Sequence, residues 1–145
     1  MQDLRIVFEP FPDDDLARFL EDNVIAHSFT RTGVSEWHPV GFFVRNARGE
    51  WLGGCMGYIW GGWLQIRWLW VTESLRGQGF GTRLMDAAEG MGVERGATSA
   101  TLETHNPEAL EFYRTRGYSV FGELEDYPPG YSKFFLRKDL RPPER

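Results

Sequence analysis

The sequence predicts an α/β fold, α+β by some schemes, and three observations carry that prediction. Between residues 41 and 71, runs of β-branched and aromatic residues alternate with glycine turns, as in an antiparallel meander. The last run, Trp68-Leu69-Trp70-Val71, feeds the glycine-rich segment Arg76-Gly77-Gln78-Gly79-Phe80-Gly81-Thr82, and a stretch of helical period follows. Beyond that helix the pattern reads strand, helix, then a strand pair, so both element types interleave along one chain.

Leu4-Arg5-Ile6-Val7-Phe8 is apolar and β-branched enough for a first strand, stopped by Glu9-Pro10-Phe11-Pro12. Asp13-Asp14-Asp15 supplies a cap and first-turn acids, and Leu16, Phe19, Leu20 and Val24 follow at helical spacing, which predicts a helix with one buried face. Residues 26–37 carry no clear period. Gly41–Arg45 reads as a strand, Asn46–Gly49 as a tight turn, Glu50–Trp60 as the returning strand, and Gly61-Gly62 turns the chain into Trp63–Val71. Glycines 53, 54 and 57 in the middle strand mark a bulge or a close backbone approach.

After the glycine-rich segment, Phe80, Leu84, Ala87, Ala88 and Met91 form an apolar stripe, with Gly90 and Gly92 weakening the end of that helix before Gly96. Ala97–Glu103 is the next strand. Asn106 caps a short helix that opens on Pro107, with Glu108 and Glu111 near its positive end, Arg114 and Arg116 near its negative end, and Gly117 closing it. Tyr118–Leu124 and Tyr131–Arg137 make a final strand pair around Asp126-Tyr127-Pro128-Pro129-Gly130.

Length and composition bound the function. With 145 residues, 41% hydrophobic and 26% charged, the chain is expected to form one domain over residues 1–140, with a disordered tail at 141–145. No window approaches the roughly 18 unbroken apolar residues of a membrane helix. The N-terminus lacks the basic and apolar pattern of a secretory signal, so a cytoplasmic protein without a membrane partner is expected. The single cysteine, Cys55, cannot make an internal disulfide and reads as a small buried apolar residue. A net charge of −5 supplies no field for polyanions, so nucleic acid is an unexpected partner; it mildly favours a cationic amine. His27, His38 and His105 show no metal-ligand spacing, so no metal is expected.

A strand that feeds a glycine-rich loop opening a helix presents free backbone N–H groups and the positive end of a helix dipole, which makes an anion cradle. A nucleoside triphosphate loop would need Gly-Lys-Ser/Thr, where Gly79 is followed by Phe80-Gly81-Thr82. A dinucleotide fingerprint would need glycine or alanine at Thr82. The pattern Arg/Gln-x-x-Gly-x-Gly/Ala does fit Arg76–Gly81, and here the chain resembles the GCN5-related N-acetyltransferases (GNAT). Asn106-Pro107-Glu108-Ala109-Leu110-Glu111-Phe112-Tyr113 with Gly117-Tyr118 is similar to that family's second signature, in the expected order.

The resemblance implies a mixed, mostly antiparallel central sheet with helices on both faces, and acetyl-coenzyme A (acetyl-CoA) as cosubstrate. It implies that Arg76, Gly77, Gln78, Gly79, Phe80, Gly81 and Thr82 hold the pyrophosphate. Leu69, Trp70 and Val71 would pair with the pantetheine arm, the Val71 N–H polarising the thioester, and Asn106 would touch that arm as well as cap its helix. Tyr113 becomes the general acid for the leaving thiolate, against a reading as a core aromatic. Acyl transfer also needs a neutral amine, and deprotonating a lysine-like amine at pH 7 costs about 4.6 kcal/mol. Relatives often place glutamate two residues ahead of Leu69; this chain has Arg67 there. Glu103, Glu73, His105 or a water chain remain open as the base, with Glu103 taken first. The expected activity is acetyl transfer to a primary amine of a small molecule or peptide; the alternative is a non-catalytic acyl-CoA binding or sensor domain. The tryptophans at 51, 60, 63, 68 and 70 read as sheet core, with an acceptor wall or subunit interface as the other reading, and monomer and homodimer both stay open.

Overall fold

The computed structural model describes residues 2–142, so most of the tail at 141–145 lies outside the described residues. Contacts divide the chain into two compact units, Met1–Ser35 and Glu36–Arg145. In the first, helix α1 (Asp14–Thr32) starts where the Asp13 carboxylate accepts the Leu16 N–H at 2.8 Å and ends at Gly33, whose φ of 72° closes it onto the Phe29 carbonyl. The strand expected at Leu4–Phe8 does not form, because no other strand offers it a ladder. The helix instead runs on through residues 26–32, a stretch with no glycine or proline to stop it before Gly33. No residue of α1 is buried, so its own unit supplies no cover for the apolar face expected of Leu16, Phe19, Leu20 and Val24.

The second unit holds β1 (His38–Arg45), β2 (Trp51–Trp60), β3 (Trp63–Val71), a 3₁₀ turn (Glu73–Leu75), α2 (Phe80–Glu94), β4 (Ser99–Thr104), α3 (Pro107–Thr115), β5 (Ser119–Glu125) and β6 (Ser132–Asp139). The strands form one sheet in the order β1-β2-β3-β4-β6-β5. All neighbours are antiparallel except β3 and β4, whose crossover is α2. The meander expected from the glycine turns is β1 to β3, and the β1–β2 turn is held by the Asn46 side-chain oxygen, which accepts the Arg48 and Glu50 N–H groups.

Two irregularities in β3 shape the molecule. Met56 faces Trp68 and Gly57 faces Ile66, so Arg67 is an extra residue, a bulge. The bulge lies opposite one of the marked glycines, and a Cβ at Gly57 would collide with the Gln65 carbonyl oxygen. An extra residue reverses the inward parity: Leu64 and Ile66 are buried before it, and Leu69 and Val71 pack on the core after it. Trp68 and Trp70 are thereby turned outward, 66% and 57% exposed. The core reading of the tryptophans is corrected accordingly, since none of the buried hydrophobic residues is a tryptophan. The second irregularity is that β3 pairs with β4 only from Trp63–Ser99 to Gln65–Thr101, after which the strands splay apart.

Helix α2 packs Leu84, Met85, Ala88 and Gly92 onto the sheet, one residue round from the expected stripe in part, so that Glu89 enters the buried face. Its carboxylate accepts from Lys138 at 2.6 Å, from Arg116 at 3.0 Å and from the Tyr118 hydroxyl at 3.0 Å. Asp86 takes the same Arg116 at 2.9 Å. This ion network ties α2 to the end of α3 and to β6 beneath the site, which a buried carboxylate requires if it is to stay charged. Cys55 is fully buried, as expected, and burial, aided by the Glu89 charge, pushes its thiol up to about 11.

Candidate active site

Where β3 and β4 part, the free edge of β3 meets the start of α2. The Thr72 N–H donates to Leu52 on β2, so one residue earlier the Val71 amide points the opposite way, into the gap, and Leu69 two residues back does the same. No strand of the sheet takes these groups, since pairing to β4 has ended at Gln65. They form an edge that an extended amide-bearing ligand can join as a strand.

The glycine segment then supplies the cradle. Gly77 and Gly79 have φ of 78° and 83°, conformations suited to glycine, and a Cβ on either would meet nothing within 4 Å, so the front of the loop is open. The first α2 bond runs from the Arg83 N–H to the Gly79 carbonyl at 3.0 Å, which leaves the preceding amides without an intrahelical acceptor. These N–H groups and the helix dipole face a cleft of about 690 Å³. Its lining includes Leu69, Trp70, Val71, Arg76, Gly77, Gly79, Phe80, Gly81, Thr82, Asn106 and Tyr113, which brings nearly all the expected cofactor residues together. Gln78 is outside the lining, its side-chain amide donating to the Ser74 carbonyl at 2.8 Å. Leu75, Glu108, Ala109 and Phe112 line the cleft too without having been taken as site residues; the last three lie inside the second motif, and Leu75 stands next to the first.

Helix α3 delivers the far wall. Asn106 accepts the Glu108 N–H at 3.0 Å with its side-chain oxygen, which leaves the side-chain NH₂ for a ligand. Tyr113, 8% exposed, sits between the rings of Phe112 and Tyr118, both edge-on. Burial, and then the nearby Cys55, push its phenol up to about 12, so it carries its proton throughout the neutral range.

Glu103, taken first as the base, lies elsewhere. It lines a second cleft, of about 400 Å³, with Tyr58, Arg67, Trp68, His105 and Lys133. There its carboxylate is paired with Lys133 at 2.5 Å, and that pairing raises the lysine. The His105 Nδ1 is 2.8 Å from the Tyr127 carbonyl oxygen and its ring stacks on Tyr127 at 5.1 Å. A carbonyl only accepts, so Nδ1 carries the proton in this bond, and in the neutral imidazole Nε2 is then the nitrogen with the lone pair. Glu73, in the 3₁₀ turn, lines neither cleft. The two clefts are lined by neighbouring stretches of the same segments: residues 66–68, 103 and 105 border one, and 69–71 and 106 border the other. Among the described residues no three His, Cys, Asp or Glu side chains are placed to hold a metal ion.

The sequence matches the acetyltransferase (GNAT) family over residues 4–118. The chain belongs to the GNAT family of acetyltransferases. It is 30% identical over 135 residues to an acetyltransferase of Agrobacterium fabrum, covering 93% of this chain and 98% of that one. To the blasticidin-S acetyltransferase of Streptomyces morookaense it is 37% identical over 114 residues, 76% of this chain and 84% of the relative. A crystal structure assigned to the acetyltransferases, from Agrobacterium tumefaciens, superposes with a TM-score of 0.89 at 30% identity, covering 94% of this chain and 99% of that one. The mixed six-stranded sheet is thus the GNAT sheet, and the chain is an acyltransferase of the N-acetyltransferase type, a family whose members use acetyl-CoA. No helix among the described residues is long and apolar enough to cross a membrane.

Proposed function

We propose that this GNAT enzyme moves the acetyl group of acetyl-CoA to a primary amine of a small molecule or peptide by direct attack. The observation that carries the reading is that consecutive residues of β3, 66–68 and 69–71, line the two clefts beyond the point where β3 and β4 cease to pair. The pyrophosphate lies on the amides of Gly77 and of Gly79 to Thr82, and the pantetheine arm joins the free edge at Leu69 and Val71 beside the Asn106 NH₂. The thioester carbonyl accepts from the Val71 N–H, where charge develops as the tetrahedral intermediate forms. The amine enters from the second cleft.

The amine must lose a proton, and His105 Nε2 is the lone pair available there, whereas Glu103 is engaged by Lys133. The Tyr127 carbonyl fixes the histidine tautomer and stabilises the imidazolium that results. When the intermediate collapses, the C–S bond breaks and Tyr113 donates its proton to the departing thiolate. The blasticidin-S acetyltransferase among the relatives supports a small-molecule acceptor. The test is free-thiol release from acetyl-CoA across polyamines, aminoglycosides, amino acids and N-terminal peptides, with Tyr113→Phe in parallel. Turnover with one amine class, reduced at least tenfold in the variant, is expected. Coenzyme A binding without turnover on any amine would move the reading to the sensor alternative.

A further inference from the structure

We infer that the acceptor carries a carboxylate as well as its amine, and that Arg67 is the residue that binds the carboxylate. This rests on the reading of the second cleft as the acceptor site. The protein as a whole has a net charge of −5, yet this cleft is lined by two cations, Arg67 and Lys133, and one carboxylate, Glu103. Lys133 and Glu103 neutralise each other across β4 and β6. Arg67 has no hydrogen-bond or ion-pair partner among the described residues. The cleft therefore presents one unspent positive charge, which repels a polyamine and attracts an anion.

Strand alternation puts that charge there: Leu64 and Ile66 turn inward, so Gln65 and Arg67 turn outward, and both line this cleft. The bulge acts on the residues that follow, keeping Trp68 outward beside Arg67 and turning Leu69 onto the core. Guanidinium offers a planar fork of donors that matches a carboxylate two bonds at a time. On the β4 lip of the same cleft His105 offers its free Nε2 to the amine. Cation on one lip and proton acceptor on the other suit an amino acid or the ends of a short peptide. An acceptor of that kind is held by its carboxylate while its amine faces the splay where the thioester arrives.

The experiment compares amines that differ only in the carboxylate: L-lysine with cadaverine, L-arginine with agmatine, L-phenylalanine with phenethylamine. Binding is read by calorimetry on the protein loaded with coenzyme A, and turnover by thiol release. The carboxylated member is expected to bind at least tenfold more tightly in one or more pairs. In Arg67→Ala that preference collapses, through KM more than kcat, and Arg67→Lys restores part of it. Equal handling of both members of every pair, or binding of neither, overturns the inference. So does a preference confined to phosphoethanolamine over ethanolamine, which would make the anion a phosphate. Calorimetry keeps the outcome separate from the acetyl-transfer reading: a carboxylated amine bound through Arg67 without turnover would sustain the inference and sink the enzyme.

Discussion

Replacing the His105 imidazole with the amide of glutamine keeps a donor for the Tyr127 carbonyl and removes the ring nitrogen proposed as the base. His105→Gln is expected to lower kcat/KM at neutral pH by about 10²-fold, the usual scale of general-base assistance. Glu103→Gln, which breaks only the pair with Lys133, should cost far less, and rate profiles of the two variants side by side decide between them. Tyr113 adds a second expectation. Its phenol is pushed up to about 12, so no alkaline fall in rate before about pH 11 should trace to loss of its proton, and any earlier limb should persist in Tyr113→Phe. Tyr113 and Asn106 could be named from the sequence because their motif is local and continuous. Arg67 could be named as a departure but not understood, because the cleft it lines is closed by Glu103, His105 and Lys133 from other parts of the chain.

The turns and caps that build the site carry their own predictions. Asn106→Asp retains an oxygen for the Glu108 N–H and loses the NH₂ donor; it should leave stability near wild type and weaken coenzyme A binding, whereas Asn106→Ala should cost about 1 kcal/mol of stability as well. Gly79→Ala puts a side chain at φ 83° and should cost about 1–2 kcal/mol by denaturant melting. At Gly81 an added Cβ would meet only the Phe112 ring at 3.5 Å, so Gly81→Ala should melt like wild type, and any loss it shows should be in cofactor affinity. Most elements were legible in this way: turns, caps and the strand-loop-helix unit are written in neighbouring residues. The strand expected at Leu4–Phe8 was not, since a strand exists only where a partner supplies the ladder. The extent of α1 escaped for the converse reason, as the absence of a period does not unmake a helix that nothing stops before Gly33.

Across the whole molecule, the buried titratable groups set how it responds to pH. Cys55 goes from 9.0 to about 11 and Tyr113 from 10.0 to about 12, each chiefly by burial, and Tyr118 is raised too, by burial and by Glu89. Above pH 9 the unfolded chain releases these protons while the folded one retains them, so stability is full below pH 9 and falls as pH rises through 11 to 12. The loss should be on the order of 2–3 kcal/mol each for Cys55 and Tyr113, and Cys55→Ala should remove the earliest part of the decline in denaturant melts between pH 8 and 11. Glu89→Ala, by stranding Arg116 and Lys138 without their partner, should cost about 3–5 kcal/mol. By itself the sequence determined the family, and it named the glycine-rich segment and the Tyr113 that line the larger cleft, because each depends on residues close together along the chain. The tertiary structure alone decided that Glu89 is buried, that Trp68 and Trp70 face outward, and that Arg67 and His105 share a cleft. Those outcomes turn on strand register and on how far two parallel strands stay paired, and a one-residue slip reverses every side chain beyond it.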